Sequence, residues 1–270
     1  MINVIITGVG GRMGAAILRL ACEDPDFAVV AGLEAKGHPL IGKGLDLIAG
    51  PAGPHATIRD DITPVIGSAD VIIDFTGPDA SERLFMVAAE HGKPIVVGTT
   101  GFSAEALTRM KTIRNGRAVI APNMSVGVNV MFDLVSRAAR ALGEGYDVEI
   151  VELHHKWKKD APSGTALKLR NTIAATNASR DWTDVSGRSG TWGERKSDEI
   201  GIFAVRGGDI VGEHTVFFAG LGERVEITHR AYSRDNFARG SLLAAKWIIN
   251  QAPGIYDMQD VLGLTSPGPA

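Results

Sequence analysis

The first half of the chain alternates short, continuously apolar runs with stretches of helical periodicity, and this alternation restricts the fold more than any other feature. The apolar runs cover residues 2–7, 27–33, 71–75, 94–98 and 118–121. Strands without polar alternation are buried on both faces, which is typical of a parallel sheet with helices on each side. Helical patterns at residues 12–23 and 79–90 and from Ser103 onward separate several of these runs. The sequence therefore predicts an α/β fold with a doubly wound, mostly parallel sheet.

A different pattern begins after about residue 123. A long helix is predicted at residues 126–142 and a strand at 146–155, and three β-rich runs follow at residues 201–206, 210–219 and 224–231. The connections between those three runs are too short for a helical crossover, so we expect neighbouring strands to be antiparallel. This pattern predicts a second, α+β domain with a mixed or antiparallel sheet.

The domain division follows from this change of pattern. We expect residues 1–125 plus 235–270 to form the first domain and residues 126–234 the second, with a helix at residues 242–249 returning to the first. The polar, Gly- and Ser-rich segment 177–198 is predicted to be a long loop. The last residues, 265–270, are expected to be frayed.

Composition restricts the partners of the protein. A formal net charge of −3 gives no reason to expect nucleic acid or an anionic membrane. The N-terminal residues lack the basic region of a signal peptide, and no apolar run reaches the roughly 20 residues that span a bilayer. We therefore expect a cytoplasmic protein. Its single cysteine, Cys22, lies in an apolar helical stretch and is expected to be buried.

A glycine-rich loop, Gly8-Val9-Gly10-Gly11-Arg12-Met13-Gly14, joins the first predicted strand to the first predicted helix. Glycines there allow a tight turn and a close approach of backbone N–H groups to a pyrophosphate at the helix N-terminus. The third glycine stands at position 14 instead of 13, but the acidic residue expected about 20 positions further on is present as Glu34. We therefore predict that the first domain is a Rossmann-type dinucleotide-binding domain. The expected cofactor-binding residues here are Gly8, Val9, Gly10, Gly11, Arg12, Met13 and Glu34.

The residues after the second strand bear on the choice of nucleotide. Glu34 is expected to bind the adenosine ribose hydroxyls, and Ala35 offers no charge to a 2′-phosphate. Lys36 and Arg12 are the cations that could still reach such a phosphate. We predict that NADH serves at least as well as NADPH.

Two further segments end predicted strands at the sheet edge where doubly wound folds bind ligands. They are Gly98-Thr99-Thr100 and Ala121-Pro122-Asn123-Met124. Both are candidates for the nicotinamide site, and an ordinary strand-to-helix turn is the alternative for each.

Segment 154–165 is a third candidate site, with two adjacent histidines, three lysines and Ser163-Gly164-Thr165 before a predicted helix. Histidine suits proton transfer near neutral pH, and the N–H groups and hydroxyls at a helix start can bind a carboxylate. A solvated loop with an ordinary N-cap is the alternative. A metal site is disfavoured because only Glu152 and Asp160, and no cysteine, stand near the histidines.

The sequence from Glu152 through His154-His155 and Asp160-Ala161-Pro162-Ser163-Gly164-Thr165 to Ala166 resembles the signature of the 4-hydroxy-tetrahydrodipicolinate reductase family, also called dihydrodipicolinate reductases. The resemblance covers nearly the whole chain. It extends to Arg12-Met13-Gly14, Asp74-Phe75-Thr76, segments 97–102 and 121–127, and Arg206-Gly207-Gly208. It implies the NAD(P)H-dependent reduction of 4-hydroxy-tetrahydrodipicolinate to tetrahydrodipicolinate in diaminopimelate and lysine biosynthesis.

The resemblance also implies roles for single residues. His154 would donate or accept a proton, with Lys158 as the paired proton donor. A substrate carboxylate would be bound by His155, Ser163, Gly164 and Thr165. Members of the family form homotetramers through the sheet of the second domain, so we expect a homotetramer. We expect no metal. Trp157 stands where the family often has a polar or basic residue, and Ala35 where some members have an arginine linked to NADP use.

Two other functions share parts of this pattern. Another two-domain NAD(P)-dependent dehydrogenase acting on a small carboxylate would have the same glycine loop. A non-catalytic nucleotide sensor would keep the loop and lose the chemistry. Failure of dicarboxylate analogues to bind would favour the first, and absence of NADH oxidation the second.

Overall fold

A computed structural model describes residues 1–51 and 53–264 of the chain. The Cα positions divide the chain into two units, one formed by Met1–Val126 together with the residues from Arg234 onward, the other by Gly127–Ser233. The prediction that residues 265–270 are frayed falls outside the described residues.

The strands and helices are numbered in chain order. The strands are β1 (Ile2–Thr7), β2 (Phe27–Leu33), β3 (Ile58–Arg59), β4 (Val71–Asp74), β5 (Ile95–Val97), β6 (Arg117–Ile120), β7 (Asp147–His154), β8 (Thr183–Val185), β9 (Glu199–Arg206), β10 (Gly212–Ala219), β11 (Arg224–Ala231) and β12 (Gly254–Tyr256). The α-helices are α1 (Arg12–Glu23), α2 (Asp46–Ala49), α3 (Pro78–Glu90), α4 (Ala104–Lys111), α5 (Val126–Leu142), α6 (Gly164–Ala174), α7 (Asp235–Ile248) and α8 (Met258–Val261).

The sheet of the first unit has the strand order β12-β6-β5-β4-β1-β2-β3. Every pairing in it is parallel, which confirms the predicted doubly wound sheet. The sequence pattern missed β3 and β12 because strands of two and three residues are too short to show a periodicity.

Adjacent residues of the central strands pack into two different cores. On β1, Val4 and Ile6 belong to a core that includes side chains of α1 and α7, whereas Ile5 belongs to a core with Phe85 of α3 and Met110 of α4. Because successive side chains of a strand point to opposite faces, both faces of this sheet are covered. The apolar runs of the sequence are explained by this double burial.

The sheet of the second unit has the order β11-β10-β7-β9-β8 and is mixed. Strands β11, β10 and β7 are antiparallel neighbours, whereas β9 is parallel to β7 and β8 to β9. The neighbouring strands β10 and β11 are antiparallel, as expected, whereas β9 and β10 are not neighbours because β7 lies between them. The link 207–211 passes the end of β7, where the Gly207 N–H donates to the His154 carbonyl at 2.9 Å. Five residues are enough to span two strand spacings of about 4.8 Å each.

Three smaller expectations were wrong. Segment 177–198 contains β8, and its Arg188 and Arg195 are anchored on the carboxylate of Glu149. The helix predicted at residues 242–249 begins earlier, at Asp235. Cys22 is exposed, because it lies in the last turn of α1, after the residues that pack against the sheet.

In the described part of the chain, no helix is both long and apolar enough to cross a membrane.

Candidate functional site

The glycine loop between β1 and α1 depends on its glycines for its shape. Gly8 has a φ of +69°, a left-handed conformation that favours glycine. A Cβ on Gly14 would lie 2.0 Å from the Gly8 carbonyl oxygen, so the displaced third glycine allows α1 to begin against the loop. Gly11 is the N-cap, and the first turn of α1 contains no acidic residue. The first N–H groups and the positive dipole end of α1 can therefore receive an anion.

A cavity of about 760 Å³ lies beside this loop in the first unit. The Glu34 carboxylate lines it and accepts hydrogen bonds from the N–H groups of Gly10 at 2.6 Å and Ala35 at 3.2 Å. A Cβ on Gly10 would lie 2.8 Å from Leu40 Cδ1 and 3.1 Å from Glu34 Oε1, so a larger residue here would displace these side chains. The volume is typical of a small-molecule or cofactor site. The residues present thus fit a dinucleotide.

Sequence reasoning missed eight of the residues that line this cavity. These residues lie after β3 and on α3, and they are Asp60, Asp61, Ile62, Thr63, Ala80, Arg83, Leu84 and Val87. Residues 60–63 follow the carboxyl end of a strand, and this position could have marked them as candidates for ligand binding. That position was not recognised because β3 has only two residues.

A second cavity of the first unit, of about 280 Å³, brings three predicted cofactor segments together. It is lined by Arg12, Met13, Phe75, Gly98, Pro122, Asn123, Met124, Arg234 and Phe237. A Cβ on Gly98 would lie 2.1 Å from the Phe75 ring, so glycine is required there. Thr99 and Ala121 are buried, whereas Thr100 is exposed. Arg234 and Phe237, which begin the return of the chain to this unit, were not predicted.

The buried carboxylate of Asp74 connects the strand ends that carry these loops. Asp74 is 0% exposed and accepts hydrogen bonds from the hydroxyls of Thr7 at 2.5 Å, Thr76 at 2.7 Å and Ser81. The Ser81 hydroxyl also lies 2.7 Å from that of Thr99. These bonds hold the ends of β1 and β4 and the loop after β5 in one network. No sequence motif indicates this network, because the hydroxyl donors are scattered along the chain.

In the second unit, His154 ends β7 and pairs with a buried carboxylate. Glu152 precedes it by two residues, so both side chains lie on one face of the strand. His154 Nδ1 lies 2.5 Å from Glu152 Oε2, and Arg206 of β9 donates to both Glu152 oxygens at 2.8 and 2.7 Å. Burial raises the pKa of Glu152, but the hydrogen bonds from His154 and Arg206 outweigh burial and lower this pKa to about 2. The carboxylate is therefore ionised at neutral pH.

Ser163 and His214 complete this buried group. The Ser163 hydroxyl accepts a hydrogen bond from the Ala166 N–H at 3.2 Å, as the N-cap of α6, and lies 3.1 Å from His214 Nε2. The rings of His154 and His214 have centroids 5.2 Å apart. Burial, and to a smaller extent the nearby His154 ring, lowers the pKa of His214 to about 3, so the His214 ring is neutral at neutral pH. Sequence reasoning missed His214, because only the register of β10 on β7 places it there.

The remaining predicted substrate residues follow β7. Lys158 Nζ lies 2.9 Å from Asp160 Oδ1, and the His155 ring lies 5.8 Å from the Trp157 ring, centroid to centroid. Gly164 and Thr165 form the first turn of α6. Segment 154–165 therefore carries two imidazoles and an ammonium group shortly before the N-terminus of α6. Over residues 1–51 and 53–264, no group of three or more His, Cys, Asp or Glu residues is placed to hold a metal ion.

Comparison with known protein families identifies the chain. The family model described as dihydrodipicolinate reductase, N-terminus, matches residues 2–124, and the model described as dihydrodipicolinate reductase, C-terminus, matches residues 127–262. The chain belongs to the dihydrodipicolinate reductase family. The C-terminal match of this reductase family continues beyond the second unit into α7 and β12, which the structure assigns to the first unit.

Individual members of the dihydrodipicolinate reductase family match almost the whole chain. The 4-hydroxy-tetrahydrodipicolinate reductase of Syntrophus aciditrophicus (strain SB) is 52% identical over 268 residues, which are 98% of this chain and 100% of the relative. The enzyme of the same name from Citrifermentans bemidjiense is 48% identical over 267 residues, with the same coverage. The dipicolinate-bound dihydrodipicolinate reductase from Paenisporosarcina sp. TG-14 superimposes with a TM-score of 0.78 at 27% identity, covering 96% of this chain and 98% of that structure. The predicted family and fold are confirmed.

Proposed function

We propose that this chain reduces 4-hydroxy-tetrahydrodipicolinate to tetrahydrodipicolinate with a nicotinamide nucleotide, as an oxidoreductase of diaminopimelate and lysine biosynthesis. Relatives named for this activity are 52% and 48% identical to it over 98% of its length. One observation carries the proposal: the Glu152 carboxylate binds both His154 and the backbone N–H of Ser163 at the start of α6. A proton-transfer group and a carboxylate-binding helix start are therefore held by one side chain.

The glycine loop and the cavities of the first unit would hold the nucleotide. The N–H groups of the first turn of α1 would bind the pyrophosphate, and Glu34 the adenosine ribose. Segments 98–100 and 121–124 would surround the nicotinamide. When bound, the nicotinamide supplies a hydride. The residues of the chain bind and orient it and provide the proton.

NADH would serve at least as well as NADPH in this site. Asp60 and Asp61 line the same cavity as Glu34 and would add negative charge to the proposed ribose site, whereas Lys36 and Arg83 are cations of its wall. Three carboxylates disfavour the extra charge of a 2′-phosphate. Steady-state kinetics with both nucleotides test this preference. A preference for NADPH of roughly a hundredfold, about 2.7 kcal/mol, would overturn it.

The second unit would bind the substrate and transfer the proton. The N–H groups of Gly164 and Thr165 at the start of α6, together with His155, would bind a substrate carboxylate. Ser163 would act by capping α6, since its hydroxyl already bonds Ala166 and His214. With Nδ1 bonded to Glu152, His154 would exchange a proton through Nε2. Lys158 would supply positive charge and act as the paired proton donor.

A cytoplasmic homotetramer would suit this function. The outer strand of the second sheet, β11, is an edge whose residues Arg224, Glu226, Thr228 and Arg230 expose one face. Unpaired edges of this kind are available for pairing with another chain. Light scattering coupled to size exclusion measures the mass directly, and a monomer at micromolar concentration would contradict the tetramer.

A coupled assay tests the proposed function. The substrate is generated in situ, and oxidation of NADH or NADPH is followed by absorbance. We expect oxidation that requires the substrate and is inhibited by dipicolinate. Binding of nucleotide without oxidation of either form would indicate a sensor. Oxidation with another carboxylate, and no inhibition by dipicolinate, would indicate a different dehydrogenase.

A further inference from the structure

The proposed proton transfer uses His154 and leaves the fully buried Glu152 without a catalytic contact of its own. Both Glu152 oxygens are fully engaged. Oε2 accepts from His154 and Arg206, and Oε1 accepts from Arg206 and from the Ser163 N–H at 3.0 Å. An ionised carboxylate has about four acceptor sites, so none remains for a substrate. The role of Glu152 must therefore be exerted through its partners.

The partner with chemistry to perform is His154. A carboxylate can only accept a hydrogen bond, so the imidazole nitrogen facing it carries a proton. The neutral ring then has its lone pair on Nε2. On that side the neighbouring residue is Gly212 of β10, where a Cβ would lie 3.0 Å from Nε2. A glycine at this position keeps side-chain bulk away from the nitrogen that exchanges protons.

The charges around His154 support this arrangement. Arg206 of β9 holds Glu152 ionised, and Lys158 and Asp160 of the following loop form their own ion pair. His214 of β10 is neutral, because burial above all lowers its pKa to about 3, and its neighbour His229 of β11 also has a pKa lowered by burial. Glu152 is therefore the anion in direct contact with the His154 ring.

We propose that Glu152 is a positioning residue for proton transfer, which holds the proton of neutral His154 on Nδ1 and leaves Nε2 to exchange a proton with the substrate. The proposal rests on the proposed function, since it concerns the proton that the reduction requires. In catalytic triads and at metal sites, a carboxylate bonded to one histidine nitrogen likewise fixes the tautomer and the orientation of the ring.

The tautomer is measured first in the wild-type chain. Nitrogen NMR of protein labelled with ¹⁵N-histidine, without substrate, distinguishes a proton on Nδ1 from one on Nε2, and the His154→Gln variant assigns the resonances. We expect neutral His154 to carry its proton on Nδ1. Predominance of the Nε2–H form would overturn the proposal. This readout does not depend on turnover, so a wild-type chain that fails to reduce the substrate would refute the proposed function separately.

The Glu152→Gln variant tests the consequence for the reaction. An amide would place an NH₂ group against donors, so it cannot satisfy His154, Arg206 and the Ser163 N–H together. We expect kcat to fall about 10- to 100-fold. The basic limb of the kcat–pH profile should move to lower pH, because the imidazolium has lost its anionic partner. Glu152→Asp, which keeps the charge, should recover part of kcat.

Glu149→Gln is the matched control. Glu149 lies on the same strand but on the opposite face, and it also binds two arginines, Arg188 at 3.0 Å and Arg195 at 2.8 Å, without a histidine. We expect this variant to keep the wild-type pH profile and tautomer. An unchanged profile in Glu152→Gln, or the same loss in Glu149→Gln, would overturn the positioning role. If Glu152→Gln does not fold, the wild-type tautomer and Glu152→Asp decide the question.

Discussion

Replacement of Asp74 by asparagine should loosen the loops that hold the nucleotide. The carboxylate is 0% exposed, and its oxygens accept hydrogen bonds from Thr7, Thr76 and Ser81. Thr7 immediately precedes Gly8 of the glycine loop, and Thr99, which bonds Ser81, belongs to the segment proposed for the nicotinamide. A change at Asp74 therefore affects the sheet and the proposed cofactor site together.

The size of the effect follows from the hydrogen bonds of Asp74. An amide keeps one acceptor oxygen and replaces the other by an NH₂ donor, so the hydroxyls at one carboxylate oxygen lose their acceptor. A hydrogen bond to a charged group contributes about 1.5–3 kcal/mol, and rotation of a hydroxyl recovers part of the loss. We expect the free energy of unfolding to fall by about 2–4 kcal/mol. At about 2–4 °C per kcal/mol, the Tm should fall by roughly 5–15 °C.

Urea and thermal unfolding measure the loss of stability, and NADH fluorescence titration measures the Kd, which should rise at least about tenfold. Asp70→Asn is the control. Asp70 stands just before β4 on the same sheet and accepts one bond, from the Asn3 N–H at 2.7 Å. It should cost no more than about 1 kcal/mol and leave the Kd unchanged. Equal stability and equal Kd in the two variants would refute the reasoning about Asp74.

Three further predictions concern other residues. Gly14→Ala places a Cβ 2.0 Å from the Gly8 carbonyl oxygen, so it should lower the free energy of unfolding by about 1–3 kcal/mol and weaken NADH binding in calorimetry; unaltered binding would contradict the role of Gly14. His214 has its pKa lowered by burial from 6.5 to about 3, so its contribution to stability is complete above pH 6.5 and is lost as the pH falls towards 3, by up to about 1.4 kcal/mol per pH unit. The urea midpoint of the wild type should therefore fall more steeply between about pH 6 and pH 4 than that of His214→Asn, and equal slopes would contradict this. Lys158→Ala should lower kcat and raise KM in the coupled assay, since the lysine is proposed to act in proton transfer and in binding; a change in neither would exclude it from the site.

The first unit could be predicted from the sequence because its signals are local. The continuous apolar character of β1 and the glycines that follow it express double burial and a tight turn, and both effects act within a few residues. The displaced glycine at position 14 looked like a departure from the usual motif. The structure shows that it provides the close approach of α1 to the loop.

The strand order of the second unit, and the residues that surround His154 there, could not be predicted in this way. Strand order is set by pairing between distant segments, and β7 separates β9 from β10 although these two are consecutive in the chain. The same long-range pairing brings Arg206 and His214 to Glu152 and His154. The segment containing His154 was recognised from its residue types, but its carboxylate, guanidinium and second imidazole belong to three strands.

Turnover of His154→Gln in the coupled assay tests the central claim most directly. The wild type should oxidise NADH only when 4-hydroxy-tetrahydrodipicolinate is generated. The variant should lose kcat by roughly 10²–10⁴-fold, the usual contribution of a general acid or base. Its Kd for NADH should match the wild type, because the proposed nucleotide site is built from the first unit. Wild-type turnover in the variant would contradict the account of this site.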